Sequence, residues 1–515
     1  MATPESASET DPSAWLDAAL TRDADRPFLT TPGGRRLSYR ELDRESALLA
    51  AVLADMGVAP ADRVALQVDK SPDAVVLYVA CLRLGAVLLP LNTAYTPAEL
   101  EYFLADARPR IAVVRPSERA RLGPLARDAG CPCVETLGVD GTGSLLERAR
   151  AMRAPSAERE RLPADALAAL LYTSGTTGRS KGAMLTRGNL ASNGAALAAA
   201  WRFSADDVLL HALPLFHVHG LFISINTVLA AGASLLLVPK FDAAEVLRLL
   251  PSASVLMGVP TYYTRLLEEA GLDRRATAGM RLFVSGSAPL LPDTHRDFEA
   301  RTGHKILERY GMTETLVNAS NPYDRERRPG SVGPALPGVA IRVTDPATGA
   351  VASRPGAIGM LEVRGPNVFR GYWNDPEKTA ASFTRDGFFV TGDLGAIDAA
   401  GYVQIVGRAK DLVISGGYNV YPKEVESELD ALPGVIESAV IGLPHADLGE
   451  VVTAIVALRP GAALAEAEAL AALGTRLARY KVPRRIVFVS ELPRNTMGKV
   501  QKATLRATYA RLYAR

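Results

Sequence analysis

Cysteine is scarce in this chain: Cys81, Cys131 and Cys133 are the three in 515 residues. That is too few for a disulfide framework, and Cys131-Pro132-Cys133 lacks zinc-ligand spacing and any partner pair. A reducing cytoplasm is the expected setting. An excess of either charge is missing too. Lys and Arg number 58 against 56 Asp and Glu, a formal net charge of +2, so no nucleic-acid partner is expected. The stretch Met1–Pro12 holds no apolar run of the kind a secretion signal carries, and is expected to be a frayed tail. The run Ala212–Pro239 has no Lys, Arg, Asp or Glu. Pro214, His217, His219, Asn226 and the Ala230-Ala231-Gly232-Ala233 break argue against a membrane span. It reads instead as a buried helix followed by a strand, Ser234–Val238. No Walker A loop exists, because the only Gly-Lys pair is Gly498-Lys499 and Val500 follows where Ser or Thr is needed.

What is present is a dense polar loop, Tyr172-Thr173-Ser174-Gly175-Thr176-Thr177-Gly178-Arg179-Ser180-Lys181-Gly182, after an apolar strand-like run, Leu167–Leu171. Glycines admit positive φ and let backbone N–H groups approach an anion. Hydroxyls add donors, and Lys181 is a point charge for phosphate oxygens. The loop suits a polyphosphate. Gly178-Arg179-Ser180-Lys181-Gly182 also satisfies G-x-S-x-G, the nucleophile elbow of α/β-hydrolases, although so short a pattern is weak in a Gly-rich loop. A flexible surface loop is the plain alternative.

The length implies more than one domain. Strand-like and helical runs alternate from about Pro27 to Val390. Val64–Val68, the helix Asp73–Leu84 and Ala86–Pro90 have βαβ character and predict parallel sheet. Further strands are expected at Val255–Met257 and Leu282–Val284. Past Asp398 short β segments take over: Tyr402–Val406 and Asp411–Ile414 flank Gly407-Arg408-Ala409-Lys410. A compact α+β portion follows, with helices at Glu424–Ala431 and Ala463–Leu477 and strands at Glu437–Ile441, Val452–Leu458 and Ile486–Phe488. The expected fold is α/β: a large body of layered sheets and helices, residues 1–410, and a small mobile α+β lid, 411–515, hinged at Gly407–Lys410.

The remaining polar motifs come in order: Glu308-Arg309-Tyr310-Gly311-Met312-Thr313-Glu314, Phe389-Val390-Thr391-Gly392-Asp393, Gly407-Arg408-Ala409-Lys410-Asp411, Ser415-Gly416-Gly417-Tyr418 and Pro493-Arg494-Asn495-Thr496-Met497-Gly498-Lys499. With the loop 173–181 they resemble the adenylate-forming superfamily of acyl-CoA synthetases, adenylation domains and luciferases, from about Pro27 to near the C-terminus. Ser180 departs from the pattern, standing where the family usually carries Pro. Pro214-Leu215-Phe216-His217-Val218-His219-Gly220, Gly258-Val259-Pro260-Thr261-Tyr262-Tyr263-Thr264-Arg265, Ser285-Gly286-Ser287-Ala288-Pro289-Leu290 and Asn321-Pro322-Tyr323-Asp324 take the resemblance further, to malonyl-CoA synthetases.

The resemblance implies an ATP-dependent ligation of malonate to coenzyme A through an acyl-adenylate, with Mg2+ as the metal. Thr173, Ser174, Gly175, Thr176, Thr177, Gly178 and Lys181 would hold phosphates. Ser287, Ala288, Pro289 and Glu308 to Thr313 would border the adenine, with Tyr310 stacked on it. Asp393 would accept the ribose hydroxyls, and Arg408 would bind the ribose or phosphate edge. Glu314 would ligate Mg2+, although a carboxylate placed to suit a helix N-terminus is the plain alternative. Lys410 is the hinge position, and Ser415, Gly416, Gly417 and Tyr418 would line the pantetheine route. Lys499 would meet the substrate carboxylate and α-phosphate. For malonate's second carboxylate the expected partner is Arg265, with a helix-surface arginine as the plain alternative, and His217, His219, Ser285 and Ser287 complete the pocket. Competing readings are a ligase for methylmalonate or another short acid, a serine hydrolase using Ser180, and a non-catalytic nucleotide-binding protein. Oligomeric state is not legible.

Overall fold

The computed structural model describes residues 15–152, 162–173, 180–415, 418–445, 448–495 and 498–513. The alternation of apolar runs and helices resolves into two large sheets. One runs in the order Leu316–Ser320, Leu307–Met312, Leu282–Ser285, Val255–Gly258, Val208–His211, Ser234–Leu237, Pro27–Thr30, Arg36–Ser38. The other runs Gly371–Tyr372, Lys181–Thr186, Leu167–Thr173, Val87–Pro90, Arg63–Gln67, Ile111–Val114, Cys133–Thr136. Their central strands are parallel. Both faces of such strands are covered, so they read as continuous apolar runs.

The helix Pro72–Leu84 is buried along almost its whole length. Ser71 caps its start, and Gly85, at φ 75°, ends it in the left-handed conformation that glycine adopts without strain. Its core is shared with strands of both sheets. The uncharged segment 212–239 is interior, as expected. It forms one wide helical turn, His219–Ile223, then a helix, Ser224–Ala231, and a strand, Ser234–Leu237. Among the described residues no helix is long and apolar enough to cross a membrane.

A third, four-stranded sheet, Ala340–Thr344, Gly359–Arg364, Phe389–Ile397 and Val403–Arg408, closes the body. The chain then makes one short 3-10 turn, Ala409–Asp411. Beyond it Tyr418–Val420, Val413–Ser415, Gly449–Leu458, Val435–His445 and Arg485–Val489 form a separate sheet with its own core around Val440, Ala454 and Leu473. Three sequence expectations need adjusting. The strand of the body runs through Arg408, which narrows the junction to the turn. The motif Phe389–Asp393 reads in the sequence as a strand ending on its acid, whereas Asp393 pairs with Arg408 inside the longer strand Phe389–Ile397. The helix expected over Ala463–Leu477 covers Glu466–Gly474.

Candidate functional site

The parallel strands Val208–His211, Val255–Gly258 and Leu282–Ser285 end together, and ligand sites in open α/β sheets gather at such carboxyl ends. Next to them lies Leu307–Met312. Successive residues of a strand face opposite sides, so this one strand serves two compartments. Tyr310 points toward the four-stranded sheet. It is 8% exposed, packs with Ala319, Val343, Leu361 and Val403, and donates its hydroxyl to Asp393. Asp393 in turn holds Arg408 at 2.6 Å, which raises the guanidinium pKa.

Arg309 faces the other way, over Gly286. A Cβ at Gly286 would lie 2.4 Å from its Nε, so only glycine lets the side chain lie there. Arg309 is buried, and its Nε and Nη2 have no hydrogen-bond partner. Burial lowers its pKa to about 9, still well above neutrality, so the group is cationic. Beside it are His219, whose Nδ1 is 3.2 Å from Ser287 Oγ and whose Nε2 is unpartnered, and the buried, unpartnered hydroxyl of Ser285. Ser287 is held at φ 72°, an unusual conformation for a residue with a side chain. His217 accepts the His219 backbone N–H on Nδ1 at 3.2 Å. Burial first, then Lys499 and Arg309, lower its pKa to about 3, and burial likewise holds His219 well below its ordinary value. Both rings are therefore neutral at pH 7.

Between the two compartments stand Glu314 and Lys499. Glu314 sits in the tight turn joining the antiparallel strands Leu307–Met312 and Leu316–Ser320, with no helix following, which removes the helix N-terminus reading. The turn depends on Gly311, where a Cβ would fall 1.7 Å from the Leu316 carbonyl oxygen. Met312 and Thr313 are half-buried at its start. Glu314 is 7% exposed and accepts the Tyr372 hydroxyl at 3.1 Å, and burial raises its carboxyl pKa. Lys181 Nζ lies 5.7 Å from the Tyr372 ring centroid. Lys499 comes from the small domain. Its stem keeps contact with solvent while its ammonium enters this crowded cleft, where burial first and then Arg408 lower its pKa. The cleft thus gathers Lys499, Arg309 and Arg408 against two carboxylates, Glu314 and Asp393, an excess of positive charge suited to anions.

Thr173 pairs with Lys181 across two antiparallel strands, so the polar loop is a hairpin connection. A nucleophile elbow needs a strand-to-helix turn, and the hydrolase reading of Ser180 fails on that ground. The Ser180 carbonyl accepts the Tyr102 hydroxyl at 2.8 Å. Ser174, Gly175, Thr176, Thr177 and Gly178 lie outside the described residues, as do Gly416 and Gly417.

Other expected site residues are not in the cleft. Arg265 is exposed on the last turn of the helix Pro260–Glu268, whose buried residues are Tyr263 and Leu266. It is therefore a helix-surface arginine, and the buried cation of the pocket is Arg309. Glu308 turns away from Arg309 toward the Gly330 N–H. Pro289 is exposed and Ala288 half-buried. Lys410 is exposed on the connecting turn. Ser415 belongs to the small sheet, and Tyr418, 59% exposed, stacks on Tyr480 at 4.8 Å.

The sequence reading missed three residues. Tyr372 fixes Glu314. Lys70 donates to the carbonyls of His211 and Leu213 at 2.7 and 2.9 Å, and Tyr262 to that of Ala212 at 3.3 Å. Together these two hold the segment that leads to His217 and His219. No local spacing marks any of them.

Residues 16–373 match the model of the AMP-binding enzyme family, and residues 424–499 that of the AMP-binding enzyme C-terminal domain. The mitochondrial malonate–CoA ligase ACSF3 of Mus musculus is 37% identical over 509 residues, covering 91% of this chain and 86% of the mouse protein. The crystal structure of ATP-bound MatB from Rhodopseudomonas palustris is 56% identical and superposes with a TM-score of 0.94, covering 97% of this chain and 99% of that one. The apo form of the same protein, with the same coverage and identity, superposes at 0.84. Family models and relatives span both the body and the small domain: the chain belongs to the AMP-binding enzyme family and is an AMP-forming acid–CoA ligase.

Proposed function

We propose that the enzyme joins malonate to coenzyme A in an ATP-dependent reaction, through malonyl-adenylate, giving malonyl-CoA, AMP and diphosphate. The observation that carries the choice of acid is Arg309: a buried cation with two unpartnered nitrogens, beside Lys499. Occupied by an uncharged acyl chain, the pocket would leave that charge uncompensated. A second carboxylate supplies its partner, and the planar guanidinium suits bidentate pairing. His219, Ser287 and Ser285 offer further polar atoms around it. The relatives named as malonate–CoA ligase and MatB agree with this reading.

In the first half-reaction one malonate carboxylate attacks the ATP α-phosphorus in line, and diphosphate leaves. No protein nucleophile is needed, so the residues position anions and offset developing charge. Lys499, whose ammonium feels Arg408, Asp393, Arg309 and Glu314, would meet both the attacking carboxylate and the α-phosphate. Thr173 to Gly178 and Lys181 would hold the phosphates, Tyr310 and Ser287 would border the adenine, and Asp393 and Arg408 would take the ribose side. Glu314, a buried carboxylate with a raised pKa, fits a role as an oxygen ligand, and Mg2+ there would supply charge neutralisation at the phosphates. In the second half-reaction the coenzyme A thiolate attacks the acyl carbonyl and AMP leaves.

The division of the chain at Lys410 into a body, 1–410, and a lid, 411–515, belongs to the same proposal. The closer likeness to the ATP-bound relative than to its apo form supports reading the described arrangement as the adenylation state.

The test is diphosphate release over a panel containing malonate, methylmalonate, succinate, acetate and propionate. The expected result is the highest kcat/KM for malonate. A wild-type preference for acetate or propionate would refute the assignment.

A further inference from the structure

The turn that carries Lys499 contains a second basic side chain for which the chemistry above has no use. Pro493 to Gln501 is closed by backbone bonds from Asn495 N to Lys499 O at 3.0 Å and from Gln501 N to Pro493 O at 2.8 Å. The Asn495 side-chain oxygen accepts the Lys499 N–H at 3.0 Å. Arg494 spans the turn: one end of its guanidinium donates to the Gly498 carbonyl, and the other to the carboxylate of Glu437 on the strand Val435–His445. Glu437 is half-buried, with its side chain 20% exposed.

The bonded carbonyl belongs to the residue immediately before Lys499. Its orientation sets the peptide plane from which the lysine stem departs. Gly498 is at φ 72°, a conformation that glycine enters and leaves freely, so its own backbone gives little resistance to rotation. On the other side Gly498 abuts Thr261 of the body, where a Cβ would lie 3.2 Å from the threonine hydroxyl. A small rotation of the peptide would swing the ammonium at the end of its four-carbon stem. A misplacement of about 1 Å can cost on the order of 10²-fold in rate.

We infer that Arg494, braced by Glu437, is a positioning residue that aims Lys499 at the reacting carboxylate and α-phosphate. The inference rests on the reading of Lys499 as the cation of adenylation. A planar fork is what the geometry requires, because it must reach a carbonyl and a carboxylate together.

Arg494→Gln, Glu437→Gln, the double variant and Lys499→Ala are compared in two assays: diphosphate release with malonate and ATP, and thioester formation from supplied malonyl-adenylate. Arg494→Gln is expected to lower kcat for diphosphate release at least about tenfold, with KM values and thioester formation within about threefold of wild type. Glu437→Gln should show the same pattern more weakly, and the double variant should be no worse than Arg494→Gln, as for two residues acting in one chain. Unchanged adenylation in Arg494→Gln, or equal loss in both assays, overturns the inference. Should Arg494→Gln fail to fold, Glu437→Gln is judged by the same criteria. Intact adenylation in Lys499→Ala would instead overturn the role of the lysine, a distinct result.

Discussion

At the scale of the residue, burying a guanidinium with two unpartnered nitrogens opposes folding, because neither its charge nor its N–H groups are compensated. Arg309 is such a group, and it should therefore trade stability for binding. Arg309→Met is expected to leave the thermal midpoint unchanged or raise it, while kcat/KM for malonate falls at least ~10²-fold and that for propionate falls far less. Arg265→Ala should leave the malonate-to-propionate ratio unchanged. A loss shared equally by both substrates in Arg309→Met would count against the carboxylate role. Glu308 is the second buried ionisable group of the same strand. Burial pushes its carboxyl up to about 8, while the Gly330 N–H and Lys423 oppose the shift. The native state keeps a proton that the unfolded chain releases near its ordinary value of 4.5. More protons are then bound when folded, so this contribution is fully present below about 4.5 and is lost as pH rises toward 8. Urea midpoints of wild type and Glu308→Gln from about pH 5 to 9 should show the wild type falling relative to the variant. Parallel curves would contradict the shift.

The element that organises the cleft is the hairpin Leu307–Met312 and Leu316–Ser320. Its pairing shifts register between Tyr310 and Gly311, and the shift brings the Leu316 carbonyl into the space where a Cβ would stand at position 311. Leu316 itself takes φ 53°. Gly311→Ala must therefore move the turn that carries Glu314. It is expected to cost about 2–4 kcal/mol of stability and to weaken adenylation. A denaturation midpoint equal to wild type would show that the turn relaxes without strain.

At the scale of the whole molecule, the small domain meets the body where Gly498 touches Thr261. A Cβ built at Gly498 would lie 3.9 Å from Thr261 Cβ, within the usual span of a disulfide. Thr261→Cys with Gly498→Cys should form a bridge that holds the small domain in its present orientation. Oxidised enzyme is expected to form acyl-adenylate but not thioester, and reductant should restore the second step. Cys81 and Cys131 are buried and compete little for oxidation. Full thioester formation by the bridged protein would eliminate lid rotation as a requirement.

What the amino-acid sequence determined by itself was everything carried by local pattern. Apolar runs separated by capped helices mark the parallel strands of the body, because such strands are covered on both faces. The ordered motifs around Tyr310, Asp393, Arg408 and Lys499 identify the family, and the segment 212–239 declares itself interior by its lack of charge, its proline, histidines and glycine break arguing against a membrane span. Tertiary structure decided the rest. Arg265 follows an apolar strand and Arg309 lies within a strand, and only the packing of Arg309 over Gly286 makes it the buried cation. Tyr263 and Leu266 define the inner face of their helix, and the helical period puts Arg265 on the outer face. Tyr372 and Glu314 stand 58 residues apart, and Lys70 reaches the carbonyl of His211 across 141. Contacts between side chains so distant in the chain leave no periodicity to read, since they arise only when the sheets of the body close on one another.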